Sequence, residues 1–149
     1  MKVLVTGGVG FIGTNLIKEL LKDENEVVSI DNYSTGLKEN ELDGCKYYNV
    51  NICDYKNFDQ YIEDVDLVFH LAALPRIQPS FKNPLTTFKT NVEGTINLLD
   101  WCKEKNVPLV YAGSSSTHGG VYKNPYTFTK WQGEELCKLY SKVYSLQTA

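Results

Sequence analysis

Lys2-Val3-Leu4-Val5-Thr6-Gly7-Gly8-Val9-Gly10-Phe11-Ile12-Gly13 decides how the rest of the chain is read. Val3, Leu4 and Val5 form a short apolar run, as a buried strand does. The run ends in glycines, and a helix pattern follows at once. From Phe11 to Lys22 the apolar residues Phe11, Ile12, Leu16, Ile17, Leu20 and Leu21 share one face of an amphipathic helix. The glycines parse as G-x-G-x-x-G (Gly8, Gly10, Gly13) or as a glycine at every third position (Gly7, Gly10, Gly13). Either way, one glycine turns the chain tightly, one lets the backbone approach a pyrophosphate, and one lets the helix pack close to the strand. Free N–H groups at Phe11 and Ile12 then face the phosphates, helped by the helix dipole. A plain turn is the alternative. The position between strand and helix favours a dinucleotide.

Further strands are expected over Val27–Ile30, Cys45–Ile52, Asp66–Leu71 and Leu109–Ala112. Helical patterns lie between them, over Tyr55–Ile62 and over Leu85–Lys105, with Pro84 where a helix would start. A last helix is expected over Tyr126–Tyr144, and Ser145–Ala149 reads as the start of an incomplete sixth strand. Continuous apolar strands alternating with helices predict an α/β fold, a doubly wound parallel sheet of the Rossmann type. The expected strand order is 3-2-1-4-5, with a ligand crevice between strands 1 and 4. Residues 1–149 read as one domain, without repeat or linker.

Asp31 ends the second strand, eighteen positions after Gly13. A carboxylate there can accept hydrogen bonds from the adenosine ribose hydroxyls; a turn residue in Asp31–Ser34 is the alternative. No arginine stands in the turn that follows Asp31, so a 2′-phosphate would meet a carboxylate and no cation there. This points to NAD, not NADP. Tyr126 and Lys130, four apart, share one face of their helix. An ammonium beside a phenol stabilises the phenolate and makes it a usable base. A solvated pair is the alternative, but this pair opens the helix after strand 5 and so faces the same crevice. Ser114-Ser115-Ser116, just beyond strand 5, can hydrogen-bond a substrate hydroxyl or form a polar loop.

Composition narrows the classes. The 149 residues are 42% hydrophobic and 22% charged, with a net charge of −3. That excludes a disordered chain and gives no basic footprint for nucleic acid or an anionic membrane. No apolar run is long enough to span a bilayer, and the N-terminus reaches Gly7-Gly8 too early for a signal peptide. Cys45, Cys53, Cys102 and Cys137 are widely spaced and the histidines number two, so neither a disulfide frame nor a metal site is expected. The cysteines read as free thiols of the cytoplasm.

Taken together, these stretches resemble the extended short-chain dehydrogenase/reductase family, and within it the nucleotide-sugar epimerases and dehydratases. The matching segments are Thr6–Gly13, Asp31-Asn32-Tyr33-Ser34-Thr35-Gly36, His70-Leu71-Ala72-Ala73, Asn91-Val92-Glu93-Gly94-Thr95, Ser114–Ser116 and Tyr126-Thr127-Phe128-Thr129-Lys130. The resemblance implies NAD as cofactor, with Gly7, Gly10, Phe11, Ile12 and Gly13 at the pyrophosphate and Asp31 at the ribose. It places Asn32, Ser34, Thr35 and Gly36 in the same site, Asn51 and Ile52 at the adenine, and Leu71, Ala72, Ala73 and Leu74 along the groove. Asn91 supports the nicotinamide side, although a helix-interior hydrogen bonder is its other reading, and His70 reads as a packed strand-end histidine. Ser114, Tyr126 and Lys130 resemble the catalytic triad, with Ser115 and Ser116 beside them for substrate.

The family's 4,6-dehydratases and UDP-glucuronate decarboxylases carry an acidic residue just after the catalytic hydroxyl residue; here Ser115 and Ser116 stand there. His70–Thr95 is most similar to UDP-hexose or UDP-N-acetylhexosamine 4-epimerases, which implies epimerisation at C4 of a UDP-sugar through a 4-keto intermediate. The alternatives are a dehydratase or decarboxylase of the family, and a non-catalytic NAD-binding fragment or interaction module. The family also pairs as homodimers through helices corresponding to 85–105 and 126–144. Three departures stand out. The loop from Ser114 to Tyr126 is short, His118 and Asn51 replace a usual tyrosine and aspartate, and the chain stops at Ala149 where the family continues into a C-terminal substrate domain, expected to be absent.

Overall fold

The computed structural model describes residues 1–54, 58–62 and 64–149. Five strands form one parallel sheet: β1 (Lys2–Thr6), β2 (Glu26–Asp31), β3 (Cys45–Asn49), β4 (Leu67–His70) and β5 (Leu109–Tyr111). Their order is β3-β2-β1-β4-β5, as the sequence predicts. β1 lies at the centre, with Leu4 opposite Val28 on one side and Val68 on the other. Beyond β5 the last residues begin a sixth parallel strand. Thr148 bridges Leu109, and the Tyr111 N–H donates to the Ala149 carbonyl at 2.8 Å.

Alternation along β1 divides its side chains between the two faces. Val3 and Val5 pack with Val27 and with Ile17 of helix α1 (Phe11–Lys22). Leu4 faces the other way, into the larger core with Val28, Val68, Leu98, Leu99 and Trp101. The last residues of β1 and β4 continue that pattern. Thr6 and His70, two positions beyond Leu4 and Val68, fall on the larger core's side and are fully buried there. A polar cluster therefore sits at the C-terminal end of the sheet, directly under the crevice.

Several boundaries differ from expectation. β3 ends at Asn49 because Asn51 opens a turn instead, its Oδ1 accepting from the Cys53 N–H. Of the helix expected over 55–62, residues 55–57 lie outside the described residues, and α2 covers Phe58–Tyr61. An additional short helix, α3 (Ile77–Lys82), follows β4; its Pro79 reads as a loop signal in the sequence. The long helix expected over Leu85–Lys105 is one right-handed run with a wide place in it. It comprises α4 (Pro84–Phe88), a π turn (Lys89–Glu93) and α5 (Gly94–Lys105).

Helix α6 (Pro125–Tyr144) starts one residue earlier than read from the sequence. Pro125 occupies its first turn, and the Asn124 side chain caps it by accepting from the Thr127 N–H at 2.8 Å. Ser145, in the left-handed region at φ 59°, ends the helix and turns the chain toward β5. Trp101 is 2% exposed and joins α5 to the sheet. Trp101→Ala is expected to cost about 3–5 kcal/mol of stability through lost contact and the cavity left behind, measured as a shifted urea midpoint.

Candidate active site

Main-chain bonds tie the phosphate loop to β2 and to itself. The Gly7 N–H donates to the Ile30 carbonyl at 2.9 Å, and the Gly10 N–H donates to the Gly7 carbonyl at 3.2 Å. Gly7 takes φ +76°, and any side chain there would also crowd the Ala72 backbone. A Cβ on Gly13 would collide with the Gly7 carbonyl, so only glycine lets α1 approach the loop this closely. Gly10 precedes α1 and supplies no side-chain cap, and the first turn holds no acidic residue. The N–H groups opening α1 therefore remain available to an anion.

Asp31, at the end of β2, holds both neighbours of the crevice. One carboxylate oxygen accepts from the Val9 N–H at 3.2 Å, the other from the Tyr33 N–H at 2.8 Å. The turn reading of Asp31 is thus realised in the structure. Asp31 fixes the turn and still lines the cleft, which encloses about 290 Å³ at the C-terminal ends of β1, β2 and β4.

Fourteen of the residues expected at a cofactor meet in that cleft. Gly7, Gly10, Phe11, Ile12 and Gly13 form one wall, Asp31, Asn32, Ser34, Thr35 and Gly36 a second, and Ile52, Leu71, Ala72 and Ala73 the rest. The glycines that line it are those of the every-third-position parse; Gly8 instead packs on Ser29. Phe11 and Ile12 are 86% and 64% exposed, apolar side chains held open at the helix start. Ile30, Val50, Pro75, Thr90 and Ala112 also line the cleft and carry no chemical signature in the sequence. Asn51 is exposed and lies outside it, while Leu74 lines an adjoining cavity.

Asn91 sits beneath the cleft. It is buried in the π turn, where Oδ1 accepts from the Leu74 N–H at 2.8 Å and Nδ2 donates to the Leu74 carbonyl at 3.3 Å and to Thr129 Oγ1 at 3.0 Å. Its amide clamps the loop after β4 to the N-terminal part of α6. Behind it runs a chain of buried bonds with one consistent direction. The Ala72 N–H donates to Thr6 Oγ1, Thr6 to His70 Nδ1 (2.8 Å), His70 Nε2–H to Thr95 Oγ1 (2.9 Å), and Thr95 to the Asn91 carbonyl (2.7 Å). Because the Thr95 hydroxyl proton goes to Asn91, the imidazole proton must lie on Nε2. Burial, with the Lys130 charge second, pushes the His70 pKa down to about 3, so the ring stays neutral. His70 is the packed strand-end histidine of the sequence reading, with both nitrogens engaged.

Across the crevice, Tyr126 and Ser114 come together. The Tyr126 hydroxyl reaches Ser114 Oγ at 3.5 Å, and Ser114 Oγ lies 2.9 Å from Ser116 Oγ, which also accepts from Thr127 Oγ1 at 3.1 Å. Ser115 is exposed. The sequence gives no sign of Ser80, a buried residue whose Oγ donates to the Ile77 carbonyl and accepts the Tyr126 N–H at 3.1 Å. It docks the start of α6 onto α3 and so sets where Tyr126 stands. Lys130 is 5% exposed, its Nζ 4.1 Å from the centre of the Tyr111 ring. Among the described residues no cluster of three metal-ligating side chains occurs, and no helix is long and apolar enough to cross a membrane.

Residues 3–149 match the NAD dependent epimerase/dehydratase family. A putative UDP-glucose 4-epimerase of Methanocaldococcus jannaschii is 33% identical over 99% of this chain and 53% of its own length. UDP-glucuronic acid decarboxylase 6 of Arabidopsis thaliana is 35% identical over 88% of this chain and 38% of its own. Among solved structures, the UDP-glucose 4-epimerase of Thermus thermophilus, in complex with NAD, superposes with a TM-score of 0.88 at 30% identity, over 99% of this chain and 53% of that one. The chain thus spans about half, or less, of the length of these relatives.

Burial lowers the Lys130 pKa from 10.5 to about 8, against the attraction of Glu134. The folded state then binds fewer protons than the unfolded state between those values. Its stability should rise with pH across that window, the full penalty applying below pH 8. Relative to Lys130→Met, the wild type is expected to gain up to about 3 kcal/mol between pH 8 and 10.5, read from urea unfolding at each pH.

Proposed function

The chain belongs to the NAD dependent epimerase/dehydratase family, and from that premise we propose that it carries the dinucleotide site and the catalytic residues of a UDP-sugar 4-epimerase. The observation that carries this reading is the convergence of the phosphate loop, Asp31 and the Ser114–Tyr126 pair on the C-terminal side of one sheet, at its switch point. NAD fits the residues present. The pyrophosphate would lie against the backbone of Gly10, Phe11 and Ile12, and the adenosine ribose against Asp31. The chemistry supplied by bound NAD is reversible acceptance of hydride from C4 of the sugar.

The rest of the reaction falls to this chain. Tyr126 takes the proton of the sugar 4-hydroxyl as hydride leaves C4, and returns it after the 4-keto sugar has turned over and received hydride on its other face. Ser114 holds the 4-oxygen, Ser115 and Ser116 extend its polar rim, and Ser80 fixes the base of Tyr126 from behind. Lys130, one helical turn from Tyr126 with its ammonium over the Tyr111 ring, is assigned to the nicotinamide ribose. Asn91 keeps the Leu71–Leu74 wall and α6 in register. We place the protein in the cytoplasm and extend the proposal to a homodimer through 85–105 and 126–144, where Leu85, Leu139 and Val143 are exposed.

A second reading, UDP-glucuronate decarboxylation, is favoured by the 35% identity to the plant enzyme. Against it stand Ser115 and Ser116, neither of which can serve as the extra acid.

NADH fluorescence titration of the purified chain tests the cofactor site. Binding is expected to saturate, and Asp31→Ala to weaken it about tenfold, the loss of one charge-assisted hydrogen-bonding group. A folded chain that leaves NADH unbound would sink the reading. With UDP-glucose or UDP-N-acetylglucosamine, NMR is expected to show the C4 epimer. Tyr126→Phe should lose that product while binding NADH as before. A 4-keto-6-deoxy or decarboxylated product selects the other branch of the family, and saturable NADH binding without any product selects a non-catalytic NAD-binding module.

A further inference from the structure

A second cavity of about 220 Å³ opens beside the dinucleotide cleft and shares Thr35 and Pro75 with it. Leu74 and Pro75 form its apolar side, Thr35, Asn83 and Thr87 its polar side, and Arg76 stands on its lining. Arg76 is the only arginine in a chain with fourteen lysines. No lysine or arginine is found among the described residues that line the larger cleft, and Asp31 faces into it. A diphosphate ester carries two negative charges, whereas the start of a helix offers about half a positive one. The cleft as lined therefore leaves most of that charge unmatched, and the chain's one arginine lines the second cavity, next in sequence to Pro75, which both cavities share.

The backbone around Arg76 is fixed before any ligand arrives. Leu74, two residues earlier, is bonded through both its N–H and its carbonyl to Asn91, and Pro75 restricts the residue between. Only the arginine side chain has to be ordered. An arginine offers a planar fork that can hold two phosphoryl oxygens at once, which a lysine cannot.

We propose that Arg76 is the cationic contact for a diphosphate ester in the cleft, its guanidinium reaching a phosphoryl oxygen across the seam with the second cavity. The proposal rests on the dinucleotide reading above. The diphosphate belongs either to the dinucleotide or to a nucleotide-sugar, and the two sources are separated by ligand. NADH and ADP-ribose carry the first, UDP the second.

The test compares wild type, Arg76→Gln and Arg76→Lys, all checked for folding by circular dichroism, in titrations at 20 mM and 500 mM NaCl. Arg76→Gln is expected to weaken NADH and ADP-ribose about tenfold at low salt, with Arg76→Lys between the two. The gap should narrow at high salt, because the guanidinium is exposed and screened. A tenfold loss confined to UDP also upholds the contact and assigns it to the nucleotide-sugar. Equal affinities of wild type and Arg76→Gln for all three ligands overturn the proposal. A folded wild-type chain that binds neither NADH nor UDP overturns the dinucleotide reading, and this proposal with it.

Discussion

The site depends on the row of hydrogen bonds from Thr6 through His70 and Thr95 to Asn91. Its members belong to β1, β4, the π turn and α5, so it links the strand that leads into the phosphate loop to the wall opposite. A buried polar row is stable only when every donor finds an acceptor. Here the backbone N–H of Ala72 feeds one end and the carbonyl of Asn91 closes the other. A neutral imidazole suits this position because it donates from one nitrogen and accepts at the other. The larger core then surrounds it on the α5 and α6 side.

The crevice inherits its shape from that row and from Asp31. On one side the loop after β4 is held by Asn91, and on the other the phosphate loop and the turn after β2 are held by one carboxylate. Little of the cleft wall is polar side chain. Its backbone is aimed by glycines and by bonds made beneath the surface, so the residues that set the geometry are mostly not the ones a ligand would touch. Ser80 illustrates this at the catalytic end, where it fixes Tyr126 through a main-chain N–H.

The architecture was legible because β1 and β2 are continuous apolar runs bounded by turn residues, and a parallel sheet buried on both faces requires such runs. The glycine spacing and Asp31 were legible for a similar reason, since each answers a local backbone demand. Ser80, Thr90 and Ala112 were not. Their roles come from what a distant element places beside them, and hydroxyl or methyl groups carry no periodic signal. Asn91 is legible only as a motif position, and its amide engages Leu74 and Thr129, partners that lie 17 and 38 residues away in the chain. Helix α3 escaped for another reason: Pro79 and Pro84 fall within eight residues, and the local rules for such a segment favour a loop.

A π turn holds one residue more than the α-helical turn it replaces. Residues 89–93 therefore advance α5 by about 100° relative to a straight continuation of α4. That phase brings Leu98, Leu99 and Trp101 onto the sheet while Asn91 points at Leu74. The number of residues between Pro84 and Lys105 is thus as constrained as their identity. Losing any one residue from the wide turn would leave a good helix by local criteria and yet carry those three side chains out of the core, so a segment that resembles an ordinary surface helix tolerates no change of length.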